Sequence, residues 1–166
     1  FGTHRNVYPG GKYAFLSASA PGYRGMILVI LDVSDPKNPK KVGQWAQFGQ
    51  KPGEERQDGL IPSFHGPAML SPDGKSLIVG FTPDVVNLDI SDPTNPKLIG
   101  KVQMIGPFAY NVMQSVHTVI PYWDKKILYV SGEPKLANCK EPLPLMAMVD
   151  NSDPKDRKST RLNSSH

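Results

Sequence analysis

A nine-residue segment indicates the fold of this chain, because it occurs twice in full and a third time in part. It stands first as Asp32-Val-Ser-Asp-Pro-Lys-Asn-Pro-Lys40 and returns as Asp89-Ile-Ser-Asp-Pro-Thr-Asn-Pro-Lys97. Its first part comes back as Asp150-Asn-Ser-Asp-Pro-Lys155. In the two full copies, the inner Asp-Pro pair fits the first two positions of a type I turn. The intervals of 57 and 61 residues between the copies indicate a repeat protein.

Short β-type runs flank this Asp-Pro turn in each repeat. Residues 26–31, 85–88 and 145–149 precede it, and residues 41–45 and 98–102 follow the two full copies. With the runs that open each unit, the pattern predicts four short antiparallel strands per repeat and no long helix. Four-stranded units repeated at roughly 40–60 residues are typical of propeller blades. The predicted fold class is therefore all-β, a β-propeller fragment with about two complete four-stranded blades and a partial third.

The repeats also predict how the chain is divided. We expect a first blade at 1–48, a second at 62–104 and a partial third at 105–155. Between the first two blades, residues 49–61 form a polar loop whose charged run at 54–56 predicts a solvated segment. Since propellers close with about four to eight blades, we expect a fragment, with the rest of its own propeller missing.

The last eleven residues have a different character. Residues 156–166 resemble one reading frame of a translated sequencing adapter, and we expect a non-native artefact tail; the alternative is a genuine polar tail. The segment contains three cationic residues and one aspartate, so it supplies half of the formal charge of +4. The pI of about 9.1 is inflated accordingly. No nucleic-acid partner is predicted from it.

Composition excludes several classes of protein. The longest apolar run, residues 26–31, is far shorter than the ~20 residues that cross a bilayer, so no membrane span is predicted. A single cysteine, Cys139, excludes a disulfide framework and a thiolate zinc cluster. The chain contains no phosphate-binding loop, dinucleotide fingerprint, serine nucleophile elbow or HExxH motif. The sequence therefore predicts no catalytic residue and no organic-cofactor site.

Histidines stand at equivalent places in the repeat. Outside the last eleven residues there are three, His4, His65 and His117, and each opens one unit. Because the innermost strand of a blade lines the central channel, we expect all three near the channel mouth on one face. The loop after the second strand of the third unit opens on the same face and contains Glu133. Imidazoles that converge with a carboxylate could hold Fe, Cu or Zn, so these four residues are the candidate metal ligands.

A structural role for the histidines is the alternative. Repeat proteins place the same residue at equivalent positions because each unit has the same hydrogen bonds to satisfy. The spacing between blades can also hold the rings too far apart for one ion, since zinc–nitrogen bonds are ~2.0–2.1 Å long. Both interpretations remain open at this point.

The runs Ile30-Leu-Asp-Val-Ser-Asp-Pro36 and Asn87-Leu-Asp-Ile-Ser-Asp-Pro93 resemble LVIVD repeats, a bacterial propeller repeat. The resemblance covers nearly all of residues 1–155 and implies a propeller fold and a periplasmic or extracellular location. A more distant similarity is to selenium-binding proteins of the methanethiol oxidase type, which are propellers associated with copper and histidines.

The leading functional hypothesis is a scaffold that binds an unidentified ligand or protein at the histidine-bearing face. The alternative is a metal-dependent enzyme of the oxidoreductase kind, with the histidines as ligands at the channel mouth.

Overall fold

The computed structural model describes residues 2–104, 116–133, 140, 146–155 and 159–161. Cys139 and parts of the predicted third blade lie outside these residues. The described chain is built of β-strands and one short 3-10 turn at Trp123–Lys125. In chain order the strands are β1 (Tyr13–Ser19), β2 (Met26–Asp32), β3 (Lys40–Trp45), β4 (Ser63–Phe64), β5 (Met69–Leu70), β6 (Ser76–Thr82), β7 (Asp84–Asp89), β8 (Lys97–Gln103), β9 (Val116–Tyr122), β10 (Ile127–Gly132), β11 (Met146–Asp150) and β12 (Ser159–Arg161).

The strands form three antiparallel sheets, one per repeat. Blade 1 has the order β1-β2-β3, and its innermost segment adds two isolated bridges, Thr3 to Ala18 and Val7 to Phe15. Blade 2 has the order β4-β6-β7-β8, with β5 also paired to β6. Blade 3 has the order β9-β10-β11-β12. The predicted all-β class is confirmed.

The Asp-Pro turns form as the sequence predicts. The Asn38 N–H donates to the Asp35 carbonyl at 3.0 Å, and Asn95 donates to Asp92 at the same distance. The first aspartate of each repeat accepts the backbone N–H two residues later, a side-chain bond typical of turns. These bonds join Ser34 to Asp32, Ser91 to Asp89 and Ser152 to Asp150 at 2.8–2.9 Å.

The blades stack face to face in chain order. One apolar cluster fills the space between blades 1 and 2. It includes Phe15 and Leu28 of blade 1 and Phe64 and Phe81 of blade 2. A second cluster joins the opposite face of blade 2 to blade 3 through residues such as Ile78, Val85, Val119 and Leu128. These side chains are at most 2% exposed, so burial between neighbouring sheets forms the core.

The same close contact links each pair of neighbouring blades. A Cβ added at Gly43 in β3 would lie 2.0 Å from the Pro93 carbonyl oxygen of the next Asp-Pro turn. A Cβ added at Gly100 in β8 would lie 1.9 Å from the Pro154 carbonyl oxygen. Only glycine fits at such a distance, so we call these two contacts the blade locks.

The loop at 49–61 is not simply solvated. The Arg56 side chain is 7% exposed, and its guanidinium contacts the fully buried Asp84 carboxylate at 2.8 Å. Glu54 accepts the Gly49 N–H at 2.9 Å. The expectation of a solvated charged run is therefore wrong for Arg56, because the loop folds back over blade 2 and buries this cation against a carboxylate.

Among the residues described, no helix is long and apolar enough to cross a membrane.

Candidate metal centre

The three histidines lie side by side, and His4 and His65 have equivalent positions in their blades. The backbone N–H groups of His4 and His65 donate to the backbone carbonyls of Ser17 in β1 and Gly80 in β6, at 2.9 and 3.0 Å. Ser17 and Gly80 have the same place in their sheets. The His4 and His65 rings stack with centroids 5.1 Å apart, and the His65 and His117 rings meet edge to face at 5.0 Å. The spacing between blades therefore does not keep these rings apart.

Two glycines of blade 2 allow this approach. A Cβ at Gly66 would lie 1.5 Å from the His117 carbonyl oxygen, and one at Gly80 would lie 2.5 Å from it. The Thr82 hydroxyl donates to the Val116 carbonyl at 2.9 Å and fixes the start of β9 from the same side. The backbone of His117 thus lies directly on blade 2, which places its ring against His65. Sequence analysis missed Gly66, although it directly follows the histidine.

Glu133 follows β10 and bridges the histidines of blades 2 and 3. Its Oε1 forms a hydrogen bond with His65 Nε2, and its Oε2 lies 3.3 Å from His117 Nε2. Three possible ligand atoms lie within 4.8 Å of one another, one each from His65, His117 and Glu133. The three side chains are 15–36% exposed, so the cluster is partly buried and still open to solvent.

The neighbours of His117 assign its tautomer. Arg5 Nη2 lies 2.9 Å from His117 Nε2, and arginine can only donate, so Nε2 is the acceptor. The proton of the neutral ring is then on Nδ1, which donates to the Thr118 hydroxyl at 2.7 Å. This leaves the Nε2 lone pair facing the cluster. A second hydrogen bond that fixes the ring is a regular feature of histidines that ligate metals.

The electrostatics agree with a neutral imidazole beside a carboxylate. Burial lowers the pKa of His117, and the nearby His65, Arg5 and His4 lower it further against the opposing effect of Glu133. Burial raises the pKa of Glu133, but the hydrogen bond with His65 and the electrostatic influence of the neighbouring histidines and Arg5 outweigh it, so the net shift is downward. At neutral pH both groups therefore present lone pairs.

His4 joins the cluster differently from the other three candidates. It is exposed, and its ring is stacked on His65 at an interplanar angle of 26°. The group of ligand atoms within 4.8 Å does not include it. Of the four predicted ligands, the structure thus brings three within reach of one ion and places the fourth beside them.

Other polar side chains on this face hold loops in place. The Arg24 guanidinium donates to the carbonyls of Gly49 and Glu54 at 2.8 and 2.6 Å. Asp84 pairs with Arg56. These groups are used by the fold, which leaves the histidine cluster as the candidate site of the described residues.

Sheets that stack face to face along a repeated sequence, each with the same Asp-Pro turn, define a β-propeller architecture. The LVIVD repeat model matches residues 2–46 and 77–104. The chain contains LVIVD repeats, and the resemblance stated above is confirmed.

Among solved structures, the chain is similar to a periplasmic gluconolactonase of Pseudomonas aeruginosa, with 13% sequence identity and a TM-score of 0.46. The match covers 98% of this chain and 43% of that one, so the chain spans less than half the length of that protein. A similarity at this level shows neither the activity nor the location of this chain. No curated protein sequence matches it.

Proposed function

We propose that this chain is a transition-metal-binding propeller module in which His65, His117 and Glu133 hold one divalent ion. The observation that supports it most directly is the pair formed by His117 Nε2 and Glu133 Oε2, 3.3 Å apart. Because Nε2 accepts from Arg5, no proton lies between these two atoms, and their lone pairs repel. A cation between them removes that repulsion.

The separation also fits the size of such an ion. Tetrahedral zinc with bonds of ~2.0–2.1 Å to nitrogen and oxygen places neighbouring ligand atoms about 3.3 Å apart. The distance between His117 Nε2 and Glu133 Oε2 has this value. Glu133 Oε1 meets His65 Nε2, so the metal would replace the proton that now joins them.

The donor set indicates the kind of ion and the kind of chemistry. Two imidazoles and one carboxylate suit Zn, Cu or Fe better than Ca or Mg. Three protein ligands with a fourth position open are typical of catalytic rather than structural zinc. A metal held in this way supplies Lewis acidity or a bound water of lowered pKa. His4 as a further ligand stays a prediction.

Metal binding by the 166-residue chain tests the proposal. After treatment with a chelator, the protein is titrated with Zn²⁺ by calorimetry, and we expect one ion per chain. His65→Ala, His117→Ala and Glu133→Gln should each weaken binding by more than the roughly 10–100-fold that loss of an outer hydrogen bond costs. Asp35→Asn, an exposed change on the Asp-Pro turn of blade 1, is the matched control and should bind as the parent chain does.

Thermal unfolding separates this proposal from a structural role. Added Zn²⁺ should raise the Tm of the parent chain and of Asp35→Asn, because a ligand that binds only the folded state stabilises it. The Tm of Glu133→Gln should not respond to Zn²⁺. If the three variants lower the Tm but bind Zn²⁺ as tightly as the parent, the histidines are structural and the proposal is wrong.

The wider roles expected from the family resemblance stay predictions. These are a bacterial origin, a periplasmic or extracellular location, and a ligand or protein partner at the histidine-bearing face.

A further inference from the structure

Arg5 is the cation next to the metal site. It follows His4 on the innermost segment of blade 1, and its side chain is exposed. Its guanidinium is 2.9 Å from His117 Nε2. That nitrogen is the one that the proposed metal would take, so Arg5 and the ion compete for one lone pair.

The charge of the loaded site needs an anion. Among the neighbours that shift the pKa of His117, Glu133 is the carboxylate, and the others are His65, Arg5 and His4. One carboxylate neutralises only half the charge of a divalent ion, and Arg5 adds a further positive charge. A partly buried site with this excess attracts small anions from solvent.

The loss of its acceptor makes Arg5 available. When a metal binds His117 Nε2, the guanidinium loses this hydrogen bond and stays tethered near the site by its backbone. Its planar pair of N–H donors matches the two oxygens of a carboxylate and forms strong charge-assisted bonds. The exposed side chain can turn toward a ligand at low cost, since it forms no ion pair among the described residues.

We propose that Arg5 binds the carboxylate of a small organic acid whose oxygen occupies the open position on the metal. The inference rests on the metal site proposed above. It names a class of ligand, small carboxylate anions, and it makes Arg5 a ligand-binding residue rather than a metal ligand.

Titration of the Co²⁺-loaded chain with sodium acetate tests the inference at constant ionic strength. Acetate that enters the metal's coordination shell changes the visible absorption of Co²⁺, whereas acetamide, a neutral molecule of similar size, should not. We expect Arg5→Gln to weaken acetate binding by about tenfold or more, the size of a hydrogen bond to a charged group. Arg5→Lys should recover part of the loss. Co²⁺ affinity should not fall in Arg5→Gln, because the competitor for His117 Nε2 is gone.

Lys12→Gln is the matched control. Lys12 is also an exposed cation, but it pairs with Asp32 at 3.3 Å beside the Asp-Pro turn, at the other end of the blade. This variant should bind acetate as the parent does. If Arg5→Gln and Lys12→Gln bind acetate equally well, the role of Arg5 is wrong while the metal site stands. If the parent chain binds no Co²⁺, the proposed function and this inference both fail.

Discussion

The Thr118 hydroxyl holds the proton of His117 on Nδ1, where the contact of Nε2 with Arg5 leaves it. It accepts from Nδ1 at 2.7 Å, so Nε2 presents a lone pair to the cluster. Because the contact is to a ring nitrogen and not to the ion, Thr118 is a positioning residue. Burial holds the pKa of His117 below its ordinary value of 6.5, and protons therefore compete for this ligand only in acid below that value.

Thr118→Val should weaken Zn²⁺ binding by roughly 10–100-fold, the usual cost of losing an outer hydrogen bond to a metal-bound histidine. The shape of the side chain is nearly kept, so little change in folding is expected from packing. Thr118→Ser restores the hydroxyl and should restore the affinity. Calorimetry at pH 7 measures all three proteins. Equal affinities for Thr118→Val and the parent would show that the hydroxyl does not position the ring.

The sequence was enough to find the histidines but not their neighbours. His4, His65 and His117 stand out because they recur in the repeat, and Glu133 because its loop opens on their face. Arg5 and Thr118 have no such pattern. Arg5 meets His117 across 112 residues of chain, and such a contact depends on how blade 1 is placed against blade 3.

The loop at 49–61 is an ordered connection held by buried charge. Asp84, at the start of β7, has a fully buried side chain that meets Arg56 at 2.8 Å and Lys101 at 3.4 Å. Arg56 also contacts Asp58, and this hydrogen bond holds the pKa of Asp58 well below its usual range. The contribution of Asp58 to folding stability is fully present at pH values above the usual pKa range of carboxylates. It is lost only as the pH falls through the lowered pKa of Asp58.

Arg56→Gln should destabilise the chain by roughly 3 kcal/mol, because it leaves the Asp84 carboxylate buried without its main counter-charge. Lys101→Gln is the control on the same carboxylate. Lys101 is 40% exposed and more distant, so its loss should cost about 1 kcal/mol or less. Urea unfolding measures both. Equal losses in the two variants would contradict the role given to Arg56.

Periodic apolar residues predict strands well, and polar composition predicts loops poorly. The run at 26–31 gives β2 because its side chains alternate between two buried faces, and β6 and β7 follow the same logic. The charged run at 54–56 has the composition of a solvated loop. Its burial depends on Asp84, which is distant in sequence and offers no local signal.

The blade locks explain how the repeat becomes a stack of sheets. Gly43 and Gly100 stand opposite Ile30 and Asn87 in their sheets, and each admits the carbonyl of the next Asp-Pro turn. In blade 3, Met148 has the position of Ile30 and Asn87, and the residue opposite it is Thr160 instead of a glycine. Residues 156–166 contain no glycine, so this segment departs from the repeat, and its non-native origin stays a prediction.

Gly43→Ala and Gly100→Ala should each cost about 1–3 kcal/mol, because the added methyl group collides with a backbone carbonyl of the neighbouring blade. Gly2→Ala, where an added Cβ meets nothing within 4 Å, is the control and should unfold nearly as the parent does. Repeat proteins transmit strain mainly to adjacent units. The two glycine substitutions should therefore differ in their effect on Zn²⁺ binding.

That difference tests the stack and the site together. Gly43→Ala loosens the contact between blades 1 and 2, whereas the proposed ligands His65, His117 and Glu133 belong to blades 2 and 3. Its Zn²⁺ affinity should therefore stay near that of the parent. Gly100→Ala loosens the contact between blades 2 and 3 and should weaken Zn²⁺ binding at a similar loss of stability. If both variants weaken Zn²⁺ binding equally, either blade 1 supplies a ligand through His4 or strain spreads beyond neighbouring blades. His4→Ala in the parent chain distinguishes these two explanations, because it lowers the Zn²⁺ affinity only if His4 is a ligand.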